Sequence, residues 1–464
     1  MNGIAYMKVI YSHIICACLL ISLFAGCRPQ YPHIEYEGNP RDVVFGYVDL
    51  PVPVNVAITN PLYETYTRGV GVFDKYQDGV AGNWENSNIY IYAFYSPCSL
   101  GGGPNDIDYS KRMDSEDDEE IYCLVDDADD EAKGHGKRAY LNSDITSFLQ
   151  WSGNNVPYYN RTYQQYRYKF FAYHIDDAAD LTHGPERGRD YVAYDIEIDG
   201  TQDLMCGYAT PTRKQLAALN APSDKHILNN IEELAYSTTT GYRDIFPIFQ
   251  MKHQLAFMKF FIKTDSIMNA DGTKEISPEA NNVRIKNIIV KAPYNGEFVV
   301  AADDVNRLGA TFTDETKEIY MPVKVKVDEE GNLETDEEGR RITVSSGEEG
   351  KLVAGDMYGF NPFIVPEAQE KEVGVGFLLP PSDSYELMLE CCQSDSDGDP
   401  VELDSYISKY RLEFEDNTFK AGHMYEVCIK VYGLQDIDFG LGDVTWKDGG
   451  SIDIGGEDDD SKQE

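Results

Sequence analysis

Carboxylates are the residues best placed for chemistry in this sequence, and their spacing decides little. An EF-hand loop needs Asp at positions 1, 3 and 5, Gly at 6 and an acidic residue at 12. With Gly398 at position 6, Asp395, Asp397 and Asp404 fall correctly. Position 1 is then Gln393, and no helical pattern flanks the loop, so Asp395–Asp399 reads as a solvated hairpin turn. Asp114 to Glu131 holds eleven carboxylates in eighteen residues and reads as a charged surface loop. Carboxylates are too abundant to single out a glycosidase pair. Among the eight histidines, His13 lies in an N-terminal apolar segment and His33 just after it. His135, between Gly134 and Gly136, reads as a loop residue. His174, His183, His226, His253 and His423 form no HExxH or other paired spacing. There is no GxSxG elbow. Gly69-Val70-Gly71 lacks the third glycine of a dinucleotide loop, and Gly350-Lys351 is followed by Leu rather than Ser or Thr. The expectation is a non-enzyme with no metal and no cofactor. Tyr158, Tyr159, Tyr163, Tyr166 and Tyr168 could stack on sugars, but strands favour Tyr in any case.

The N-terminus carries an address. Ile14 to Ala25 is apolar, only Lys8 is charged before it, and Met7 makes a better start than Met1. The run has the length of a signal-peptide core and is too short for a membrane span. It ends Leu23-Phe24-Ala25-Gly26-Cys27, small residues before a Cys, as in a bacterial lipobox. There a diacylglyceryl group is added to the thiol and cleavage makes Cys27 the new N-terminus. Phe24 departs from the usual Leu. The remaining cysteines, 98, 123, 206, 391, 392 and 428, match no zinc spacing. They read as buried or half-buried thiols, with at most one disulfide among them.

The elements that must position these residues are strands. The chain has 464 residues, 80 acidic and 40 basic, for a net charge of -40. That charge would repel nucleic-acid phosphates and anionic lipid, so neither is an expected partner. Hydrophobic residues make up 42%, enough for a packed core. Helical periodicity is confined to Thr212–Leu219 and Asp224–Ala235; elsewhere β-branched and aromatic runs alternate with Gly, Asn, Asp and Pro. Val44, Val48, Leu50, Val52, Val54, Val56 and Ile58 share one parity of a long alternating segment. Pro51 and Pro53 on the other parity remove ladder donors, which predicts an edge strand or a late addition to a sheet. Tyr425, Val427, Ile429 and Val431 share a face opposite Glu426, Cys428 and Lys430. Tyr320 to Val344 reads as hairpins turning at Gly331 and Gly339. A domain boundary is expected near Phe246–Lys252, ahead of the apolar run Leu255–Ile262.

Four local patterns together resemble the fimbrillin family of Bacteroidetes surface proteins, the subunits of type V pili. They are Tyr166-Arg167-Tyr168-Lys169-Phe170-Phe171-Ala172-Tyr173, then Asp203-Leu204-Met205, then His253-Gln254-Leu255-Ala256-Phe257-Met258-Lys259-Phe260. The last is Phe419-Lys420-Ala421-Gly422-His423-Met424-Tyr425, leading to Ile429–Tyr432 and Trp446. The resemblance implies an all-β chain of two tandem β-sandwich domains with transthyretin-like, Greek-key topology and few short helices. Placed on this sequence, residues 1–27 are the lipoprotein signal and 28–68 a leader with a removable first strand. Residues 69–248 and 249–455 are the two sandwiches, and 456–464 an acidic tail. It further implies lipid anchoring through Cys27 to the outer membrane and display at the cell surface. A trypsin-like cut after Arg68 removes the leader, and other pilin subunits then join by strand exchange. A host or bacterial surface ligand is a further implied partner.

Arg68 follows the alternating segment, as such a cut site must, although Arg41 and Arg112 are also basic sites. The chain is long for a stalk subunit, and the 114–131 and 328–341 segments look inserted, which suits a tip or accessory subunit. Asp448–Gly456 is rich in Gly and Asp and would pack poorly as a donor strand. The alternative is a glycan-binding outer-membrane lipoprotein that never polymerises. The two readings part at Arg68 and at the need for strand 43–59.

Overall fold

The computed structural model describes residues 52–58, 89–96, 107–111, 123–125, 134–141, 148–153, 156–159, 167–176, 178–179, 181, 183–211, 215, 236–242, 245–264, 266–268, 272, 274–276, 283–328, 330–337, 339, 341–344, 350–353, 363–364, 370–393, 406–413, 418–433 and 436–445. The architecture is all-β. Among the described residues the helices of more than a single residue are the turn Val305–Arg307 and the turn Thr238–Gly241, the latter capped by Ser237 and Thr240, whose side chains bond reciprocally to each other's backbone N–H.

The second half is a sandwich. One sheet runs Lys371–Leu379, Ala256–Thr264, His423–Gly433, Asp436–Thr445. The other runs Thr316–Tyr320, Val283–Pro293, Ser384–Gln393, Tyr406–Glu413. Their inner faces close one core, in which Met258, Phe260, Val427 and Ile429 meet Ile288, Val290, Leu387 and Leu389. The alternation at 425–431 is as the sequence predicts: Tyr425, Val427, Ile429 and Val431 are buried, and the residues between them are half-buried. The Gly331 and Gly339 hairpins form, with both glycines at positive φ (84° and 81°), where a Cβ would be strained.

The first half is built on a sheet of nine described strands. Its order runs from Ile248–Phe249 through Val56–Ile58, Phe148–Trp151, Lys137–Leu141, Ile89–Ser96, Arg167–Ile175 and Leu204–Tyr208 to Lys252–His253. The two ends of that order are one stretch of chain. Phe249 bridges Ala209, Lys252 pairs Cys206 and His253 pairs Met205 in a single antiparallel register. Residues 248–253 therefore close the sheet on itself, and the closed wall has no free edge at this seam. Inside lie Ile89, Ile91, Ala93, Phe170, Ala172, Met205 and Phe249, plugged by Tyr159, Tyr236 and Ile245. Outside, Tyr92, Phe94, Phe171, Tyr173 and Cys206 pack against a second sheet.

That second sheet is assembled from both halves. The hairpin Asn295–Ala302 and Gly309–Phe312 pairs with Tyr191–Glu197, which in turn pairs with Glu186–Arg187. The stretch 246–252, read as a boundary from the sequence, is here the stave that closes the wall.

Candidate functional site

The strand ahead of Arg68 is the natural place to look for function, and its upper part, residues 52–58, is described. Its apolar parity is buried: Val54 and Val56 are 0% exposed and Val52 is 4% exposed, while Asn55 faces out. Val56 and Ala57 pair antiparallel with Leu149 and Phe148. Ala57 and Ile58 pair in parallel with Ile248 and Phe249 on the other side. This corrects the edge-strand expectation, because the segment is an internal stave with a neighbour on each flank. Pro53 fits for a local reason. It sits opposite Tyr158, and the ladder bonds are made on either side of it, from Val54 N–H to the Pro157 carbonyl (2.8 Å) and from Tyr159 N–H to the Val52 carbonyl (3.0 Å). A non-hydrogen-bonded pair asks no donor of proline.

Two further bonds fix the segment. The Trp151 indole N–H donates to the Val54 carbonyl at 2.8 Å, and Ala57 N–H donates to the Pro247 carbonyl at 2.9 Å. The seat for Val52 is tight. A Cβ placed on Gly241 would lie 2.7 Å from Val52 Cγ1 and 3.1 Å from the Tyr159 ring. Sequence reasoning finds the strand but misses its receivers, Trp151, Pro157, Gly241 and Pro247. They stand far from it in the chain, and only Trp151, one of three tryptophans, carries a residue-type signal.

Cys27 and Arg68 lie outside the described residues, as do Asp395–Asp399, Tyr163, Tyr166, Trp446, the 456–464 tail and all of 114–131 except the strand Cys123–Val125. The remaining tyrosines do not form a sugar-stacking surface, since Tyr159 and Tyr168 are buried at 2% and 1% and only Tyr158 is exposed.

His135, His174 and His253 are held in structural contacts. His135 lies in the loop before Lys137–Leu141, as expected, but is buried there. Its Nδ1 meets Tyr194 Oη at 2.7 Å, its Nε2 meets the Leu181 carbonyl, and its own carbonyl accepts from Tyr173 Oη. Burial pushes the Tyr173 phenol well above its ordinary value. Arg187 donates to the Lys111 and Gly134 carbonyls and lies over the Tyr92 ring, so it clasps the two ends of the acidic 112–133 segment together. His253 Nδ1 pairs with Asp203 Oδ1 at 3.0 Å, and Asp203 is 0% exposed. Asp203 N–H in turn donates to Asp176, whose other oxygen meets His174 Nε2 at 2.9 Å. Two of the resemblance motifs, Asp203-Leu204-Met205 and His253-Gln254-Leu255, thus meet at the seam. A carboxylate closed to solvent positions strands and does not reach a substrate. The C-terminal motif is also core: Phe419 packs on Tyr385 and Tyr425 with centroids 4.7 and 4.8 Å apart.

Cys206, Cys391, Cys392 and Cys428 are free thiols, and burial pushes Cys206, Cys391 and Cys428 up to about 12. Among the described residues no group of three or more His, Cys, Asp or Glu could hold a metal ion.

An all-β protein of packed sheets, with one wall closed around the segment 52–58, is the class that fold and site define. Two solved structures of low sequence identity are similar to it. One is a fimbrial protein from Bacteroides vulgatus, 10% identical, with a TM-score of 0.36 over 85% of this chain and 99% of that one. Another is the fimbrial anchor protein Mfa2 from Porphyromonas gingivalis, 11% identical, with a TM-score of 0.27 over 85% and 99%. Likenesses this distant assign no role. No protein-family model and no curated protein matches the chain.

Proposed function

We propose that this chain is a non-enzymatic subunit of cell-surface fimbriae, built by strand exchange. In this reading Cys27 carries the lipid that first anchors it to the outer membrane, and a cut after Arg68 releases residues 28–68. The two sandwich units part near residues 248–249 in the sequence, with the first also taking in the stave 248–253 and the hairpin 295–312. The vacated seat accepts a strand from another pilin subunit. The observation that carries the proposal is the placement of segment 52–58. It contributes three buried valines and main-chain bonds on both flanks, yet it stands just before Arg68 in the chain. Taking it away opens a slot with unpaired backbone groups and apolar pockets, which strongly favours a second strand. The four sequence motifs support the same reading, and their apolar residues Phe170, Phe171, Leu204, Phe257, Phe419 and Tyr425 lie in the cores that such a subunit needs.

The test is limited trypsin on protein beginning at residue 28, with mass spectrometry to locate the cut and size-exclusion chromatography over hours. A preferred cut after Arg68, followed by ladders of oligomers and abolished by Arg68→Ala, is the expected result. A stable trimmed monomer, or no preference for Arg68, would overturn the proposal.

A further inference from the structure

We infer that the seat of segment 52–58 is directional and size-selective. It accepts a strand of another polypeptide that runs as the leader runs and carries Val-sized side chains at three alternate positions. This rests on the strand-exchange reading and names the chemistry of the partner that reading requires.

Direction follows from the two flanks. The antiparallel neighbour, residues 148–159, presents the Pro157 carbonyl, the Tyr159 N–H and the Trp151 indole N–H to residues 52 and 54. The parallel neighbour presents the Pro247 carbonyl to the N–H of residue 57. Parallel and antiparallel ladders space their bonds differently. A strand entered the other way would be parallel to 148–151 and antiparallel to 247–249, so both bond sets would fall out of place while the side chains still alternated correctly. A buried donor or acceptor left unmade is the costly case.

Size follows from Gly241. The Val52 side chain already lies closer to that backbone than a Cβ would permit, with Tyr159 beside it. Glycine cannot be made smaller, so the first inward position has no room for Leu or Phe.

Two described strands of the chain with alternating apolar residues fit poorly. Asp436–Thr445 offers Ile437, Phe439 and Leu441 at alternate positions, larger than Val, and is laddered along its length to His423–Gly433. Val323-Lys324-Val325-Lys326-Val327 repeats the Val spacing, but Val323 and Val325 lie in the second core and pair with 351–353. The partner is therefore a strand with leader-like chemistry supplied by another subunit.

The experiment uses the chain from residue 28 onward with a specific protease site placed within 62–67, so that nicking does not depend on Arg68. The nicked protein is incubated with labelled peptides and read by native mass spectrometry and fluorescence anisotropy. One peptide copies residues 51–59, Pro-Val-Pro-Val-Asn-Val-Ala-Ile-Thr. A second is its reversed sequence, which puts the same side chain at each inward position with the chain direction inverted. A third carries Phe at the first Val. The forward peptide is expected to displace the leader, and the reversed and Phe peptides to bind about tenfold weaker or less, the loss of one good interaction. Equal uptake of forward and reversed peptides overturns the directional claim and leaves strand exchange standing. Equal uptake of the Phe peptide overturns the size claim. Uptake of none overturns both this inference and the strand-exchange reading, whereas failure of trypsin at Arg68 in the unaltered chain bears on the processing site alone.

Discussion

Gly241→Ala probes the seat most directly. The added Cβ would stand 2.7 Å from Val52 Cγ1 and 3.1 and 3.3 Å from two Tyr159 ring atoms. Ordinary carbon contacts are about 3.5–4.0 Å, so the first of these overlaps by about 1 Å. Val is stiff at χ1 and cannot turn away cheaply. Overpacking of this kind costs about 1–3 kcal/mol. The lost backbone freedom of the unfolded chain returns about 0.4–1 kcal/mol. The net is a destabilisation of about 1 kcal/mol, read as a Tm lower by about 2–4 °C. Val52→Ala alone removes two buried methyl groups and costs about 1.6 kcal/mol at about 0.8 each. Combined, the overlap disappears, so the double variant is more stable than the sum of the singles by about 1–2 kcal/mol. Denaturant midpoints for the four proteins of the cycle measure that coupling, and nicked Gly241→Ala protein should shed its leader several-fold faster. Additivity within about 0.5 kcal/mol would mean that Val52 and Gly241 do not touch, and the size argument would go with it.

Trp151→Phe keeps an aromatic ring but leaves the Val54 carbonyl without its indole donor, which costs about 1 kcal/mol and speeds leader loss several-fold in nicked protein. His253→Ala strands the Asp203 carboxylate, 0% exposed, and should cost about 3 kcal/mol in denaturant melts; Arg307→Ala, which frees an exposed pair with Asp190, should cost less than about 0.5. Cys206 and Cys391 have folded values of about 12 against an ordinary 9.0, so between pH 9 and 12 the unfolded chain loses protons that the folded chain keeps. Stability is therefore full below pH 9 and falls as pH rises, by about 1.4 kcal/mol per thiol at pH 10, and a melt that is unchanged from pH 8 to 10 would refute this. The same two thiols should resist iodoacetamide at pH 8 until the protein is unfolded.

Strand faces were legible wherever one side of a strand is wet. Val427, Ile429 and Val431 alternate with Cys428 and Lys430 in the sequence and in burial alike. The alternation fails where both sides are covered. Phe170 and Ala172 point into the closed wall while Phe171 and Tyr173 face the second sheet, so the aromatic run 168–173 is core throughout. At His135 the two flanking glycines announce the loop that forms, but its burial comes from Tyr173 and Tyr194, which no local pattern connects to it. The closing stave 248–253 was the least legible element. Its partners are 204–209 on one side and 57–58 on the other, and a short pairing of such long range leaves only a weak periodic trace. What a sequence shows there, a polar break ahead of an apolar run, is what a domain boundary shows too.

The two flanks of the leader also explain why a cut could matter so much. Within residues 52–58 three buried valines contribute about 1.5–3 kcal/mol each, or about 5–9 in all. The four bonds to Trp151, Pro157, Tyr159 and Pro247 add about 1 each, bringing the gain to about 9–13 kcal/mol before the ladder pairing of 56–58 is counted. Ordering seven residues costs about 1–2 kcal/mol apiece, or about 7–14. The segment taken alone is thus close to balance. While it is joined to the rest of the chain, the tether holds it near its seat, and the closed wall is favoured by every contact it completes. Once severed, it must meet the entropy of leaving without that help, and a strand with the same side chains and direction can compete for the place. Under the proposed cut, a wall that closes around a nearly balanced stave would be stable before cleavage and exchangeable after it. That asymmetry comes from the valines, from Gly241 beneath the first of them, and from the opposed polarity of the two neighbours.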